Sequence, residues 1–294
     1  MKNDPIQEAL ARLDEIPLHT PAGRAGFAKA LNAKSNLVAA KAAKLLGNAL
    51  WLGMAGEVAV AFRRLLDSGA SADKGCAAKI AMARALHQLE HDDAQLFLAG
   101  MKCVQREPVW GGSEDVAADL RAVCAAGLAG STYSSKLRPL VDLLGDSEWQ
   151  ARAGAINAIA GLGGETAALL LRLKALTGDI EVNVLSGCLT GLLELEGAAA
   201  LMLVESFTGS GKSEEVRDTA ILVLGASRRA DAVEMLIGMF GRTTDGDRRK
   251  CILLALATSR MEVAVEFLDG LAREGTAHEK DMATGALKLV RLGL

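Results

Sequence analysis

The chain has 294 residues, with 33 Lys and Arg against 36 Asp and Glu, a formal charge of −3. Half of it is apolar, only 3% is aromatic, and 31 Gly stand against 5 Pro. That much apolar side chain excludes a disordered chain, the charge balance argues against a strongly basic nucleic-acid binder, and five scattered cysteines argue against a disulfide-stapled scaffold.

The opening Met1-Lys-Asn-Asp-Pro lacks the apolar stretch of a secretory leader. The longest apolar runs, such as Ala198 to Val204, fall far short of the ~18–20 residues that span a bilayer. The expected location is cytoplasmic. Cys76, Cys103, Cys124, Cys188 and Cys251 occur singly with no C-x-x-C pair, and read as reduced, mostly buried thiols rather than metal or redox groups.

Residues 1–34 read as N-terminal capping helices, Pro5 to Glu15 and Pro21 to Asn32, with Thr20 before Pro21 as an N-cap/N1 pair. A repeat array follows over 35–294, with longer repeats at 35–112 and regular ones at 113–294. One apolar position per copy sets the pitch: Leu46, Leu86, Ala126, Ile159, Leu192, Leu224, Leu256 and Leu289, in steps of 40, 40, 33, 33, 32, 32 and 33. Four residues before each stands a mostly small or slim residue (Ala42, Met82, Ala122, Ala155, Cys188, Ala220, Ile252, Gly285), and i, i+4 pairs share a helix face, so a neighbouring helix can approach closely there. Second helices are expected at Gly53 to Leu66, Asp93 to Val104, Ser135 to Leu144, Glu165 to Leu176, Gly197 to Phe207, Ala230 to Phe240 and Val263 to Arg273. Ser35, Ser113, Ser147 and Ser213 take N-cap places, and Gly47, Gly127, Gly145, Gly163 and Gly241 take helix exits. Strand-length alternation of β-branched residues is absent, so the array is expected to be all-helical.

A period near 33 in two-helix units fits three repeat families. The tetratricopeptide pattern needs Trp and Tyr in every unit, whereas the chain has 3 Trp and 1 Tyr, and ankyrin's Thr-Pro-Leu-His is missing. Ser213-Glu-Glu-Val-Arg-Asp-Thr-Ala-Ile-Leu-Val-Leu-Gly resembles the HEAT-like repeats of the phycobilisome-lyase type, and the likeness extends over about Ser35 to Leu294. It implies an all-α fold, a right-handed α-solenoid of about seven to eight HEAT-like helical hairpins. It also implies chaperone-like attachment of a bilin to a cysteine of an acceptor protein, although no bilin-specific motif is present.

Several stretches look like chemistry. Gly209-Ser-Gly-Lys-Ser213 has the tail of a P-loop, but position 206 is Ser and no strand precedes it, so it reads as a loop. His278-Glu279 is similar to the His-Glu pairs with which deoxyhypusine hydroxylase holds iron, but it is the only such pair among four His. His87 and His91 straddle a helix end beside Asp92 and Asp93, the setting of a solvated turn. HEAT-like DNA glycosylases need a basic face, whereas residues 1–147 carry 17 basic and 16 acidic groups and residues 148–294 carry 16 and 20. Basic residues do line the early second helices, among them Arg63, Lys102, Arg138 and Arg172. Arg106-Glu-Pro-Val-Trp-Gly-Gly-Ser113 breaks the repeat, and its Trp110 either plugs the gap between repeats or presents a binding anchor. Trp51 and Trp149 read as packing residues.

The expected function is a non-catalytic protein–protein interaction scaffold, binding a protein or peptide on a concave face made by the second helices. Arg106, Glu107, Trp110, Arg63, Lys102, Arg138 and Arg172 are the expected partner-binding residues, with no catalytic residue, metal or cofactor. A lyase-type enzyme subunit or chaperone and a nucleic-acid binder are the alternatives. The final helix (Leu287, Leu289, Val290, Leu292) is a candidate homodimer surface.

Overall fold

The computed structural model describes residues 4–292, so positions 1–3 and 293–294 of the expected cap and array lie outside the described residues. The chain divides into two compact units, Met1–Leu162 and Gly163–Leu294. Among the described residues there are seventeen α-helices and one two-stranded hairpin.

The first unit contains α1 (Pro5–Asp14), α2 (Pro21–Leu31), α3 (Asn36–Asn48), α4 (Ala55–Leu66), α5 (Ala77–Gln88), α6 (Ala94–Met101), β1 (Arg106–Val109), β2 (Gly112–Asp115), α7 (Ala118–Gly130), α8 (Leu137–Leu143) and α9 (Trp149–Leu162). The second contains α10 (Gly164–Thr177), α11 (Val182–Glu196), α12 (Ala198–Ser206), α13 (Glu214–Ala226), α14 (Ala230–Arg242), α15 (Gly246–Ser259), α16 (Glu262–Glu274) and α17 (Ala277–Leu292). Every expected second helix is present to within a few residues at each end.

Local chemistry explains several of the starts. Asp4, Thr20, Asp93, Ser213 and Asp245 each accept a hydrogen bond from a first-turn N–H, satisfying a donor that the helix itself cannot. Ser113 does not cap α7; it lies in β2. Ser35 makes no cap hydrogen bond. Ahead of α9 it is Asp146 rather than Ser147 that accepts from the Glu148 N–H, at 2.9 Å.

Within each unit the first helices stack in succession: α3 on α5, α5 on α7 and α7 on α9, then α11 on α13, α13 on α15 and α15 on α17. The small-then-large pairs form the seam. Ala42/Leu46, Met82/Leu86, Ala155/Ile159, Cys188/Leu192, Ala220/Leu224 and Ile252/Leu256 are all buried. Two of the expected pairs are displaced by two residues. In α7 the buried pair is Cys124/Leu128 rather than Ala122/Ala126, and in α17 it is Ala283/Leu287 rather than Gly285/Leu289. Leu287 therefore belongs to the fold's own core and is not free for a dimer seam.

Of the five expected helix-exit glycines, Gly163 takes a positive φ of 72°. Gly47 and Gly127 instead lie inside helices at close approaches, where a Cβ would fall 2.2 Å from Gln88 Oε1 and 2.3 Å from the Phe97 ring. Gly241 lies within α14. Trp51 packs edge-on to Phe27 and against His19, with ring centroids 6.2 and 5.0 Å apart, and Trp149 is half-buried. Among the described residues no helix is long and apolar enough to cross a membrane.

Candidate functional site

Buried polar groups are expensive unless satisfied, so their location shows where a fold does something besides pack. Five of the nine buried polar or charged residues described, Asp73, Lys79, Gln105, Asp115 and Arg121, gather where the repeat is broken. The Arg106–Ser113 segment, expected as a loop, is mostly a β-hairpin. β1 and β2 run antiparallel with Arg106 opposite Asp115 and Val109 opposite Gly112. Trp110 and Gly111 form its two-residue tip, and Gly111 takes φ 90°, a conformation that a side chain disfavours. A hairpin this short has little stability of its own, so its neighbours must hold it.

Gln105, just before β1, is the centre of the brace. Its N–H donates to Asp115 Oδ1 at 3.0 Å, and its carbonyl accepts from the Val116 N–H. Its side-chain amide donates to the Asp73 carbonyl at 2.7 Å and to Glu107 Oε1 at 2.6 Å, and its Oε1 accepts from Lys79 Nζ. Glu107 also accepts from the Gly75 N–H at 2.8 Å. The Gln105 amide and the Gly75 N–H together hold its carboxyl below the usual range. On the other side Arg121 donates to Asp115 Oδ2 at 2.7 Å, to Asp146 through two nitrogens at 2.8 Å each, and to the Cys103 carbonyl at 2.9 Å. Burial pushes the Asp115 carboxyl up, but the Gln105 and Ala117 N–H groups and the Arg121 guanidinium outweigh it and hold the carboxyl low.

Cys76 and Cys103 lie on segments that the same brace holds. Asp73 accepts from the Ala78 and Lys79 N–H groups at the start of α5, and the backbone turns through left-handed Gly75 (φ 67°) and Cys76 (φ 55°). Cys76 is fully buried and Cys103 half-buried. The influence of Cys76 first, and the Lys79 charge with it, lower the Cys103 thiol below the ordinary range, while Cys103 and burial raise that of Cys76. In the remaining three burial is the first cause: it pushes Cys188 and half-buried Cys251 up to about 12, and Cys124 up as well. All five cysteines are free thiols, with Cys76, Cys124 and Cys188 buried and Cys103 and Cys251 half-buried.

At the tip, Trp110 is fully exposed and Val109 is exposed beside it. The plug reading of Trp110 is thereby overturned, because the two-residue turn points the indole away from the core. Beneath the hairpin a recess of about 310 Å³ is lined by Ala70, Ser71, Lys74, Arg106, Glu107 and Pro108. Arg106, Glu107 and Trp110 therefore share one feature. The other expected binding residues do not join it. Arg63 is ion-paired with Asp93 at 2.9 Å, Lys102 and Arg138 are exposed elsewhere in the first unit, and Arg172, in the second unit, is ion-paired with Glu196 at 2.5 Å.

The other chemical stretches resolve as structure. Glu279 accepts from the Thr276 N–H and hydroxyl, each at 2.8 Å, while its own N–H donates back to Thr276 Oγ1, a capping box at α17. Its remaining contact is an ion pair with Arg249. Among the described residues no group of three or more His, Cys, Asp or Glu is placed to hold a metal. Ser213 of the P-loop-like stretch caps α13.

These elements define the class: an all-α fold of helical hairpins stacked within each unit, with a braced β-hairpin among the described residues of the first. No protein-family model and no curated protein matches the chain. Human deoxyhypusine hydroxylase in complex with glycerol is similar at 16% identity over 98% of this chain and 92% of that one, with a TM-score of 0.31. The complex of CpcE and CpcF of phycocyanin lyase from Nostoc sp. is similar at 17% over 95% and 96%, with a TM-score of 0.37. An engineered protein is similar at 17% over 97% and 95%, with a TM-score of 0.33. The expectation of a chain that is not an enzyme is corrected here: the similar solved structures include a hydroxylase and a lyase. At these scores neither activity passes to it.

Proposed function

We propose that the chain docks a partner protein or peptide through the Trp110 hairpin and serves, as a chaperone or enzyme subunit, a step carried out on that partner. The observation that supports this is a fully exposed tryptophan on a hairpin whose base is locked by buried hydrogen bonds. A large rigid aromatic side chain loses little freedom on binding, and a braced hairpin adds almost no ordering cost, which is the arrangement of an interface hot spot. Lys74 and Arg106 in the recess beneath favour a partner with an acidic side chain beside the pocket that takes the indole. A cytoplasmic setting suits unpaired thiols.

The test compares wild type, Trp110→Ala and Arg138→Ala in quantitative capture from the native host. Loss of a hot-spot side chain costs about 2 kcal/mol or more, roughly a 30-fold weaker complex. Proteins that wild type and Arg138→Ala retain and Trp110→Ala releases support the reading. Identical capture by all three refutes it.

A further inference from the structure

We propose that the groove between α15 and α17 in the second unit binds a small amphiphile, an alkyl chain that ends in a protonated amine. Three observations carry it. The first is an open seam. Where other first helices stack, a Cβ added to the seam glycine would meet the neighbouring backbone: at Gly47 it lies 3.1 Å from Ala85 Cα, at Gly154 2.4 Å from Ala122 Cα, and at Gly225 2.2 Å from the Ala255 carbonyl oxygen. Gly285 of α17 lines the groove toward α15, yet nothing stands within 4 Å of its would-be Cβ. The space left there belongs to a groove of about 570 Å³. Sites for small molecules span about 300–1,000 Å³.

The second is the lining. Leu253 and Ala286 are buried along the groove, Met282 and Leu289 are half-buried, and Leu254 is exposed. An alkyl chain laid against them leaves water on one side and covers apolar carbon on the other. Each methylene so buried is worth roughly 4-fold in affinity.

The third is charge at one end. Arg249 and Glu279, in the first turns of α15 and α17, are ion-paired at 2.8 Å, so the two helices start side by side. At that end Asp247, Lys250 and Asp281 line the groove, two carboxylates against one ammonium. Among the described residues neither Asp247 nor Asp281 takes part in an ion pair. Caps already engage backbone donors that an anion would use there: Asp245 accepts from the Asp247 and Arg248 N–H groups, and Thr276 from that of Glu279. The polar end therefore suits a cation and the remainder suits its apolar chain.

The test uses the full-length protein without any partner, so its outcome is separate from that of the docking experiment. Titration calorimetry at pH 7 compares decylammonium, octylammonium and decanoate, each below its micelle concentration. Wild type is expected to take up one equivalent of decylammonium, at least about 10-fold more tightly than decanoate. Octylammonium, two methylenes shorter, is expected to bind about 10-fold more weakly than decylammonium. Gly285→Leu, which fills the groove, is expected to weaken decylammonium by about 10-fold or more, and Asp281→Asn by about 3-fold. Equal affinity for decanoate, no dependence on chain length, several weak sites per chain, or unchanged binding by Gly285→Leu would overturn the proposal. So would a wild-type dimer in sedimentation that Gly285→Leu dissociates, which would put a second copy of the chain in the groove. If Gly285→Leu fails to fold, the headgroup and chain-length series on wild type and Asp281→Asn decide it.

Discussion

Arg121→Ala tests the claim that buried charge, rather than strand pairing, holds the hairpin. Arg121 and Asp115 have side chains 3% exposed, and the Arg121 side chain also pairs with Asp146, 14% exposed. Removing the guanidinium leaves Asp115 Oδ2 without its counter-charge in a site that water does not reach, and leaves the Cys103 carbonyl short of a donor. Breaking a buried ion pair from one side costs about 3–5 kcal/mol. Against a total of about 5–15 kcal/mol for a native domain, that is a large fraction. Urea unfolding followed by far-UV circular dichroism reads the loss, and hydrogen exchange over residues 103–117 locates it. Asp115→Asn in the Arg121→Ala background removes the orphaned charge, so the double variant is expected to be less destabilised than the sum of the singles by about 1–2 kcal/mol. The pH dependence has a definite sign. The folded Asp115 carboxyl lies below its unfolded value of 3.8, so its contribution is complete above that pH and is lost as pH falls through the folded value. Arg121→Ala should flatten this acid-side loss. A loss under about 1 kcal/mol for Arg121→Ala, with unchanged exchange over 103–117, would refute the brace.

Further expectations follow from the same geometry. Trp110→Ala should change unfolding free energy by less than about 0.5 kcal/mol, since a fully exposed side chain leaves no cavity, and should remove the emission component most readily quenched by acrylamide. Gly225→Val should destabilise the second unit by about 1–3 kcal/mol, because a Cβ there lies 2.2 Å from the Ala255 carbonyl oxygen, measured by urea titration. Gly270→Ala, inside α16 with open space around its would-be Cβ, should stabilise by about 0.5–1 kcal/mol in the same assay. Glu107→Ala should speed exchange of the Gly75 N–H, which donates to it, without moving the helical amides.

The helices could be read from the amino acids because their causes are local. Caps such as Thr20 and Ser213 act within three residues, and the burial of Leu46, Leu192 or Leu256 follows from a spacing of four along one face. The site is different. Gln105 meets Asp73 across 32 residues, Lys79 meets Gln105 across 26 and Arg121 meets Asp146 across 25. Trp110 stood out on the page as an odd residue beside two glycines, yet its exposure is decided by a strand register between Arg106 and Asp115 that no periodicity encodes. The charged residues Arg63 and Arg172, chosen for partners, are instead held by Asp93 and Glu196, which tertiary packing delivers from neighbouring elements. Short-range hydrogen bonding and hydrophobic period thus determine the helical repeat, whereas contacts between distant segments decide which polar side chains are spent inside the fold and which are left to act.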